Sequence, residues 1–287
     1  MNRTDVIEAH RAAGRTFRAA GVTSFVREEG EGPAVVCMHG VPSSSFLYRK
    51  VLPELATRGL RGVAFDLPGL GLADRPADFD YTWTGLGGFA RAAVDALELD
   101  RFHLLVHDLG GPVGFELAAA IPERIESLTV LNTLVDVATF KKPWTMRPFE
   151  HPRLGAVWLA GMSGPIFRVL MKIQGIRDMT TISSAELGAY LTMLKRRDGG
   201  RAFLQIMQGF ETTTEKQDLY RTVLGTDAYP VQVIWGEDDP ALTIETQGEA
   251  ARRAARVEIN RLPGKHFLQE DQAAAIAELV AGFVSTA

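Results

Sequence analysis

The stretch of sequence that decides the fold spans residues 104–111 and reads Leu104-Leu-Val-His-Asp-Leu-Gly-Gly111. Its apolar first half predicts a buried strand, and a segment with helical spacing begins directly after the two glycines. A sharp turn from strand to helix brings backbone segments close together, which favours residues without side chains. The turn therefore presents Asp108 at the end of the strand as a candidate nucleophile. The dipole of the following helix favours the ionised carboxylate.

Short β-rich runs surround this turn and alternate with helical segments. The predicted strands are 22–26, 34–38, 62–65, 103–106, 128–131 and 231–235, and the predicted helices include 47–58, 84–97 and 111–120. This alternation predicts an α/β fold with a mostly parallel central sheet and helices on both faces. Ligands of such folds bind at the carboxyl ends of the strands.

The segment 136–225 interrupts the alternation. It has helical spacing, two tryptophans, several methionines and no convincing strand, and it is too long for a plain connection. We therefore expect a helical cap over 136–225, inserted into a core formed by 1–135 and 226–287. A cap of this kind supplies one wall of a pocket and excludes water.

Two polar stretches late in the chain supply partners for Asp108. Val233-Ile-Trp-Gly-Glu-Asp-Asp-Pro240 is a strand that runs into an acidic turn, and Leu262-Pro-Gly-Lys-His-Phe-Leu-Gln-Glu270 follows it. The order nucleophile, acid, histidine is the one found in α/β-hydrolase triads. Asp239 is expected to fix the tautomer of His266, whose other ring nitrogen then takes a proton from water. The neighbouring Asp238 is the second candidate for the acid.

A third stretch, Met38-His-Gly-Val-Pro-Ser-Ser-Ser-Phe46, also follows a predicted strand. The backbone amides of Val41 and Leu109 are predicted to form an oxyanion hole. His39 is a candidate for contact with the substrate or the leaving group. The two histidines near Asp108 lack metal-ligand spacing, so we predict no metal and no cofactor.

These motifs, together with the stretches 47–50, 66–71, 80–82 and 131–133, resemble the haloalkane dehalogenase and epoxide hydrolase branch of the α/β-hydrolases. The resemblance covers the chain after its first twenty residues and is weakest in the cap. It implies an α/β-hydrolase fold and a cofactor-independent hydrolase with two steps. Asp108 displaces a leaving group to give an alkyl-enzyme ester, and water activated by His266 cleaves that ester.

The residue that stabilises the leaving group distinguishes two alternatives. The dehalogenase resemblance implies a tryptophan after the nucleophile and an asparagine after the histidine-glycine pair, but this chain has Leu109 and Val41 there. Trp158 in the cap is then the candidate halide donor. The epoxide hydrolase alternative implies a cap tyrosine, for which Tyr190 and Tyr220 are candidates.

A third alternative is a ligand-binding protein without activity on the same scaffold. The apolar cap side chains suit a small hydrophobic organic substrate, and the candidates for its pocket are Phe140, Trp144 and Phe203.

Composition limits the classes of partner. The 287-residue chain carries a net charge of −4, which predicts neither a nucleic acid partner nor a membrane partner. Its one cysteine, Cys37, excludes an internal disulfide. The first residues lack the apolar core of a secretory signal, so we expect a cytoplasmic protein. We also expect a monomer or a homodimer.

Overall fold

The computed structural model describes residues 2–286. Its strands are β1 (Arg15–Ala19), β2 (Val22–Glu29), β3 (Ala34–Met38), β4 (Arg61–Phe65), β5 (Phe102–Asp108), β6 (Ile125–Thr133), β7 (Val231–Gly236) and β8 (Ile259–Leu262). Its α-helices are α1 (Arg3–Ala12), α2 (Val51–Ala56), α3 (Trp83–Ala96), α4 (Gly110–Ala120), α5 (Pro152–Gly161), α6 (Gly164–Leu170), α7 (Ser184–Lys195), α8 (Arg201–Gln208), α9 (Thr214–Leu224), α10 (Glu249–Ala255) and α11 (Ala273–Val284).

Within residues 2–286 the strands form one eight-stranded sheet in the order β1-β2-β4-β3-β5-β6-β7-β8. β2 pairs antiparallel with β1 and with β4, and the pairings from β4 across to β8 are parallel. The predicted α/β class with a mostly parallel sheet is thus confirmed. The sequence did not predict the two edge strands β1 and β8, because an edge strand buries few side chains and shows no clear apolar pattern.

Side chains of the central strands alternate between two hydrophobic cores, one on each face of the sheet. In β5, Leu104 and Val106 belong to the core that contains α3 and α4, while Leu105 belongs to the core that contains α2 and α11. Successive residues of a strand point to opposite faces, so both faces must be apolar where helices cover both. This double burial holds the end of β5 in place beneath the candidate site.

Helices α5 to α9 lie between β6 and β7 in the chain and fall inside the range 136–225 that the sequence predicts as a cap. α7 begins with a capping box, in which Ser183 and Glu186 each bind the other's backbone amide. Glu186 also binds Arg49, which precedes α2 in the chain. The division of the chain into core and cap stays a prediction.

Candidate active site

Asp108 ends β5 and lies at a sharp turn into α4. Its φ of +53° lies in the left-handed region, which a residue with a side chain rarely adopts. Such backbone strain persists only where the surrounding structure enforces it, and it is concentrated at functional sites. Here the hydroxyl of Thr133 in β6 donates a hydrogen bond to the Asp108 carbonyl oxygen. The strained turn raises the Asp108 carboxylate out of the strand.

Glycines surround Asp108 because no other residue fits. A Cβ on Gly40 would lie 2.1 Å from Oδ1 of Asp108, and a Cβ on Gly111 would lie 1.7 Å from Oγ1 of Thr133. Both separations are far below van der Waals contact. The glycines that the sequence places beside the turn therefore allow the two strand ends to approach Asp108.

His266 bridges Asp108 and Asp239. Its Nε2 lies 3.2 Å from Oδ2 of Asp108, and its Nδ1 lies 2.7 Å from Oδ2 of Asp239. Asp239 is buried, and its Oδ1 accepts hydrogen bonds from the amides of Ala241 and Leu242. Three residues that lie far apart in the sequence thus form one hydrogen-bonded chain, as a triad requires.

The structure separates the two candidates for the acid. The carboxylate of Asp238 lies 2.9 Å from Arg177, and nearly half of that side chain is exposed. Asn132 provides a further hydrogen bond to Oδ2 of Asp239, at 2.7 Å. Asp239, the first choice from the sequence, is therefore the carboxylate that contacts His266.

The other oxygen of Asp108 contacts one of the two backbone amides that the sequence predicts for an oxyanion hole. Its Oδ1 accepts a hydrogen bond of 2.6 Å from the amide of Val41. The amide of Leu109 helps to lower the pKa of the same carboxylate. His39 holds this turn in place, since its Nδ1 donates to the Gly40 carbonyl and its Nε2 accepts from the Leu67 amide. The two carboxylate oxygens of Asp108 thus have different environments.

The positive charge of His266 and the negative charges of Asp108 and Asp239 stabilise one another. Burial alone would raise the pKa of Asp108, but the hydrogen bond and charge of His266 hold it below its usual value of 3.8. Burial alone would lower the pKa of His266, but the carboxylates of Asp239 and Asp108 raise it from 6.5 to about 10. At neutral pH an imidazolium therefore lies between two ionised carboxylates.

This arrangement predicts how stability depends on pH. Because the pKa of folded His266 is about 10 against 6.5 for a free histidine, its contribution is complete below pH 6.5 and is lost as the pH rises toward 10. The melting temperature of the wild type should therefore fall more steeply over this range than that of His266→Gln, which cannot titrate. Parallel melting curves across the range would contradict the assignment.

An apolar cavity opens above Asp108 and His266. Three of the candidate pocket residues, Phe140, Trp158 and Phe203, line it, as does Val41. Its other apolar walls come mainly from the segment 136–225, with Met146, Phe149, Leu159, Met162, Phe167, Leu170, Met171 and Phe210. The cavity suits a small hydrophobic molecule held against the carboxylate.

Four other candidates do not line this cavity. Both ring nitrogens of His39 bind backbone groups, and Trp144 is 63% exposed on the surface. The hydroxyl of Tyr190 donates to Glu270 at 2.5 Å, and that of Tyr220 donates to Glu116 at 3.0 Å. The structure thus places these side chains outside the cavity lining, because each has a partner or a location that a single sequence does not show.

Sequence reasoning missed several residues around the site. Thr145 and Gln174 are polar members of the cavity wall, and the hydroxyl of Thr145 donates to Oε1 of Gln174 at 3.0 Å. The buried His107 binds the backbone carbonyl of His266 through its Nε2, at 2.7 Å. Burial lowers the pKa of His107 to about 3, so it is a neutral donor that fixes the His266 loop. Its position directly before the nucleophile was the available signal.

Comparisons with known proteins agree with this fold. The family model of the alpha/beta hydrolase fold matches residues 33–164. A haloalkane dehalogenase of Psychrobacter cryohalolentis is 27% identical in an alignment that covers 88% of this chain and 85% of that protein.

Solved structures show the same fold. A haloalkane dehalogenase from Bradyrhizobium elkani has a TM-score of 0.78 and 23% identity, with 95% of this chain and 97% of that chain covered. An epoxide hydrolase from Vigna radiata has a TM-score of 0.76 and 23% identity, with 96% and 98% covered. The chain therefore has the alpha/beta hydrolase fold, and along most of its length it is similar to haloalkane dehalogenases and epoxide hydrolases.

Proposed function

We propose that this hydrolase cleaves carbon–halogen bonds through a covalent ester on Asp108. The observation that carries the proposal is that the two oxygens of that carboxylate have different contacts. Oδ1 is bound by the amide of Val41, whereas Oδ2 faces His266 at the floor of the apolar cavity. One oxygen is thus held for an oxyanion, and the other is available for attack.

In the first step, Oδ2 of Asp108 attacks the carbon that bears the halogen. The carbon–oxygen bond forms as the carbon–halogen bond breaks, and the halide leaves with the bonding electron pair. The low pKa of Asp108 keeps the carboxylate ionised at neutral pH. The apolar cavity wall lowers solvation of this anion, which favours its attack.

The second step depends on a change in the pKa of His266. Esterification removes the charge of Asp108, which is one of the groups that raise the pKa of His266. The imidazolium then loses its proton to solvent more readily, and neutral Nε2 accepts a proton from water. The resulting hydroxide attacks Cγ of the ester, and the amides of Val41 and Leu109 stabilise the negative charge on Oδ1. Collapse expels the alkoxide and leaves Asp108 as a carboxylic acid. The alkoxide takes the proton of that acid to give the alcohol, which returns Asp108 to its ionised form.

Trp158 is the proposed donor to the departing halide. Its side chain lines the cavity, and its buried Nε1 has no hydrogen-bond partner within residues 2–286. A buried donor without a partner is costly, and an anion bound there would satisfy it. Leu109, in the position after the nucleophile, is buried away from the cavity.

Opening of an epoxide is the second candidate, because some structural neighbours are epoxide hydrolases. Ring opening needs an acid beside the ring oxygen, and a tyrosine hydroxyl is the usual group. Among the described residues that line the cavity there is no tyrosine, and the hydroxyls of Tyr190 and Tyr220 bind carboxylates elsewhere. This observation favours halide over epoxide oxygen as the leaving group.

We also propose that the segment 136–225 acts as the cap of this site. It supplies Phe140, Phe149, Trp158 and Phe203 to the cavity wall. Closure by these side chains keeps bulk water from the ester and sets the size of the substrate.

The test is a paired panel of substrates at neutral pH. Terminal bromo- and chloroalkanes should release halide, whereas styrene oxide and aliphatic epoxides should give little diol. Diol formation without halide release would overturn the choice of leaving group. If neither halide nor diol is formed, the result would support a ligand-binding protein on this scaffold.

Replacement of the donor should weaken the halide reaction in particular. Trp158→Phe removes the N–H and keeps an aromatic wall, so kcat for chloroalkanes should fall by about tenfold to a hundredfold. The matched control is Trp144→Phe, which changes an exposed indole outside the cavity and should leave kcat unchanged. Equal effects of the two substitutions would exclude Trp158 as the donor.

A further inference from the structure

Large exposed apolar side chains are concentrated in one segment of the chain, and Trp144, Leu154, Val157 and Ile166 line one hollow of the surface. Among the described residues, the exposed large hydrophobic side chains all come from the range 144–173, with exposures between 47% and 72%. We call this set the apolar face, and it consists of Trp144, Leu154, Val157, Ile166, Val169 and Ile173. Clustered exposure of this kind marks an interaction site, whereas single exposed residues are ordinary.

The apolar face follows helical spacing. Leu154 and Val157 lie three residues apart in α5, and Ile166, Val169 and Ile173 follow at intervals of three and four along α6 and its π-helical extension to Gly175. Residues at these intervals share one side of a helix. The other side of the same helices is buried and lines the catalytic cavity. These helices are therefore apolar on two sides, one that faces the cavity and one that faces outward.

Basic side chains are concentrated in the same segment of the chain as the apolar face. The range 141–177 contains seven lysines and arginines but one acidic residue, Glu150, although the whole chain carries a net charge of −4. Six of the seven basic side chains are exposed, and they are Lys141, Arg147, Arg153, Arg168, Lys172 and Arg177. Arg177 pairs with Asp238, and the segment 141–177 still carries a net positive charge, opposite in sign to that of the whole chain.

The helices of the apolar face are suited to lie along a surface. Within residues 2–286 no single helix is long and apolar enough to cross a membrane. α5 and α6 with its extension meet that criterion only as a pair, and they are bent by 106°. Amphipathic helices with exposed apolar side chains and Lys or Arg nearby bind in the interface of a bilayer.

We propose that the apolar face docks onto a membrane surface that contains anionic lipid. Its apolar side chains enter the interface, and the lysines and arginines of the same segment bind the phosphate groups of the lipids. The cavity would then lie directly behind the docked helices, so hydrophobic molecules dissolved in the lipid would reach it over a short path. This inference goes beyond the proposed function and does not depend on it.

A second copy of the chain is the less favourable occupant. Two copies joined by this face would bring two sets of basic side chains together, and like charges in close contact oppose association. Anionic lipid instead neutralises them. The net charge of the chain predicted no membrane partner, and the proposal reverses that expectation because the charge is unevenly distributed.

Binding to vesicles tests the proposal with the full-length protein. The protein should co-sediment with vesicles of phosphatidylcholine mixed with phosphatidylglycerol, and far less with phosphatidylcholine alone. High salt should release it, because salt screens the attraction. Val157→Asp combined with Ile173→Asp should lower the partition coefficient by about tenfold or more. Both side chains are more than half exposed, so the variant should keep the melting temperature of the wild type.

Matched charge variants separate the proposal from a general effect of charge. Arg153→Gln with Lys172→Gln should weaken binding by about tenfold, whereas Arg91→Gln with Arg253→Gln removes two exposed charges elsewhere and should not. Equal loss in both pairs, or no binding to the anionic vesicles, would overturn the proposal. So would a wild-type dimer that Val157→Asp converts to a monomer, since the face would then join two copies.

Discussion

Replacement of His266 by glutamine is expected to stop turnover after one event and to leave Asp108 as an alkyl ester. Glutamine keeps much of the size of the imidazole but cannot take a proton from water. Attack by Oδ2 of Asp108 does not need that proton transfer, so halide should still be released once per active site. Hydrolysis of the ester should slow by about a hundredfold to ten-thousandfold, the usual contribution of a general base.

Mass spectrometry of the intact protein is the measurement. After incubation with a bromoalkane, His266→Gln should gain the mass of the alkyl group, and fragmentation should place it on Asp108. Asp108→Asn should give neither adduct nor turnover, because an amide is a poor nucleophile. The control is His151→Gln, an exposed histidine outside the catalytic cavity, which should turn over like the wild type. An adduct-free His266→Gln that still consumes substrate would refute the covalent scheme.

Replacement of Arg49 by methionine is expected to cost about 3–5 kcal/mol of unfolding free energy. Arg49 binds Glu270 through two hydrogen bonds, of 2.6 and 2.8 Å, and the Glu270 side chain is fully buried. Arg49 also binds Glu186 of α7 at 2.8 Å. Methionine fills a similar volume but leaves a buried carboxylate without its main partner, so the folded state loses far more than one exposed ion pair.

Chemical denaturation at several pH values checks this expectation. Burial alone would raise the pKa of Glu270, but Arg49 holds it below 4.5, so the ion pair stabilises the protein above pH 4.5 and its contribution is lost as the pH falls. The difference between wild type and variant should shrink accordingly at low pH. Arg58→Met is the matched control, because Arg58 forms a partly exposed pair with Glu54 and should cost less than about 1 kcal/mol. Equal costs for the two variants would show that Glu270 does not depend on Arg49.

This ion network also bears on the site. Glu270 lies four residues after His266 in the chain, and the same carboxylate accepts the hydroxyl of Tyr190 from α7. Arg49 therefore joins the loop that carries the histidine to α7. Its loss should lower kcat as well as stability, since a small displacement of His266 lengthens its contact with Oδ2 of Asp108.

The fold could be predicted from stretches whose characteristic residues are close together in the chain. The turn at Asp108 can be recognised because strand, nucleophile, glycines and helix follow one another within residues 104–111. Strands β3 and β5 are buried on both faces and are therefore continuous apolar runs. The edge strands β1 and β8 lack that signal, and the sequence did not predict them.

For the candidate side chains of the segment 136–225, the neighbouring residues in the sequence do not determine which side chain faces the cavity. Tyr190 and Trp158 both lie in helices with apolar neighbours, so either could have faced the cavity. The structure turns the Tyr190 hydroxyl toward Glu270, eighty positions away in the chain, and brings Trp158 to the cavity. Partners so distant in the sequence cannot be inferred from one chain without its fold.

The sequence by itself determined the α/β class, the turn that presents Asp108, and the order in which Asp239 and His266 follow it. These features depend on residues that are close together in the chain or on the fixed order of strands in a parallel sheet. Only the tertiary structure decided that Asp239 rather than Asp238 contacts His266, and that the apolar side chains from Trp144 to Ile173 face outward among basic residues. The physical reason is that hydrogen-bond partners and exposure depend on packing between distant segments, whereas composition averages over the whole chain.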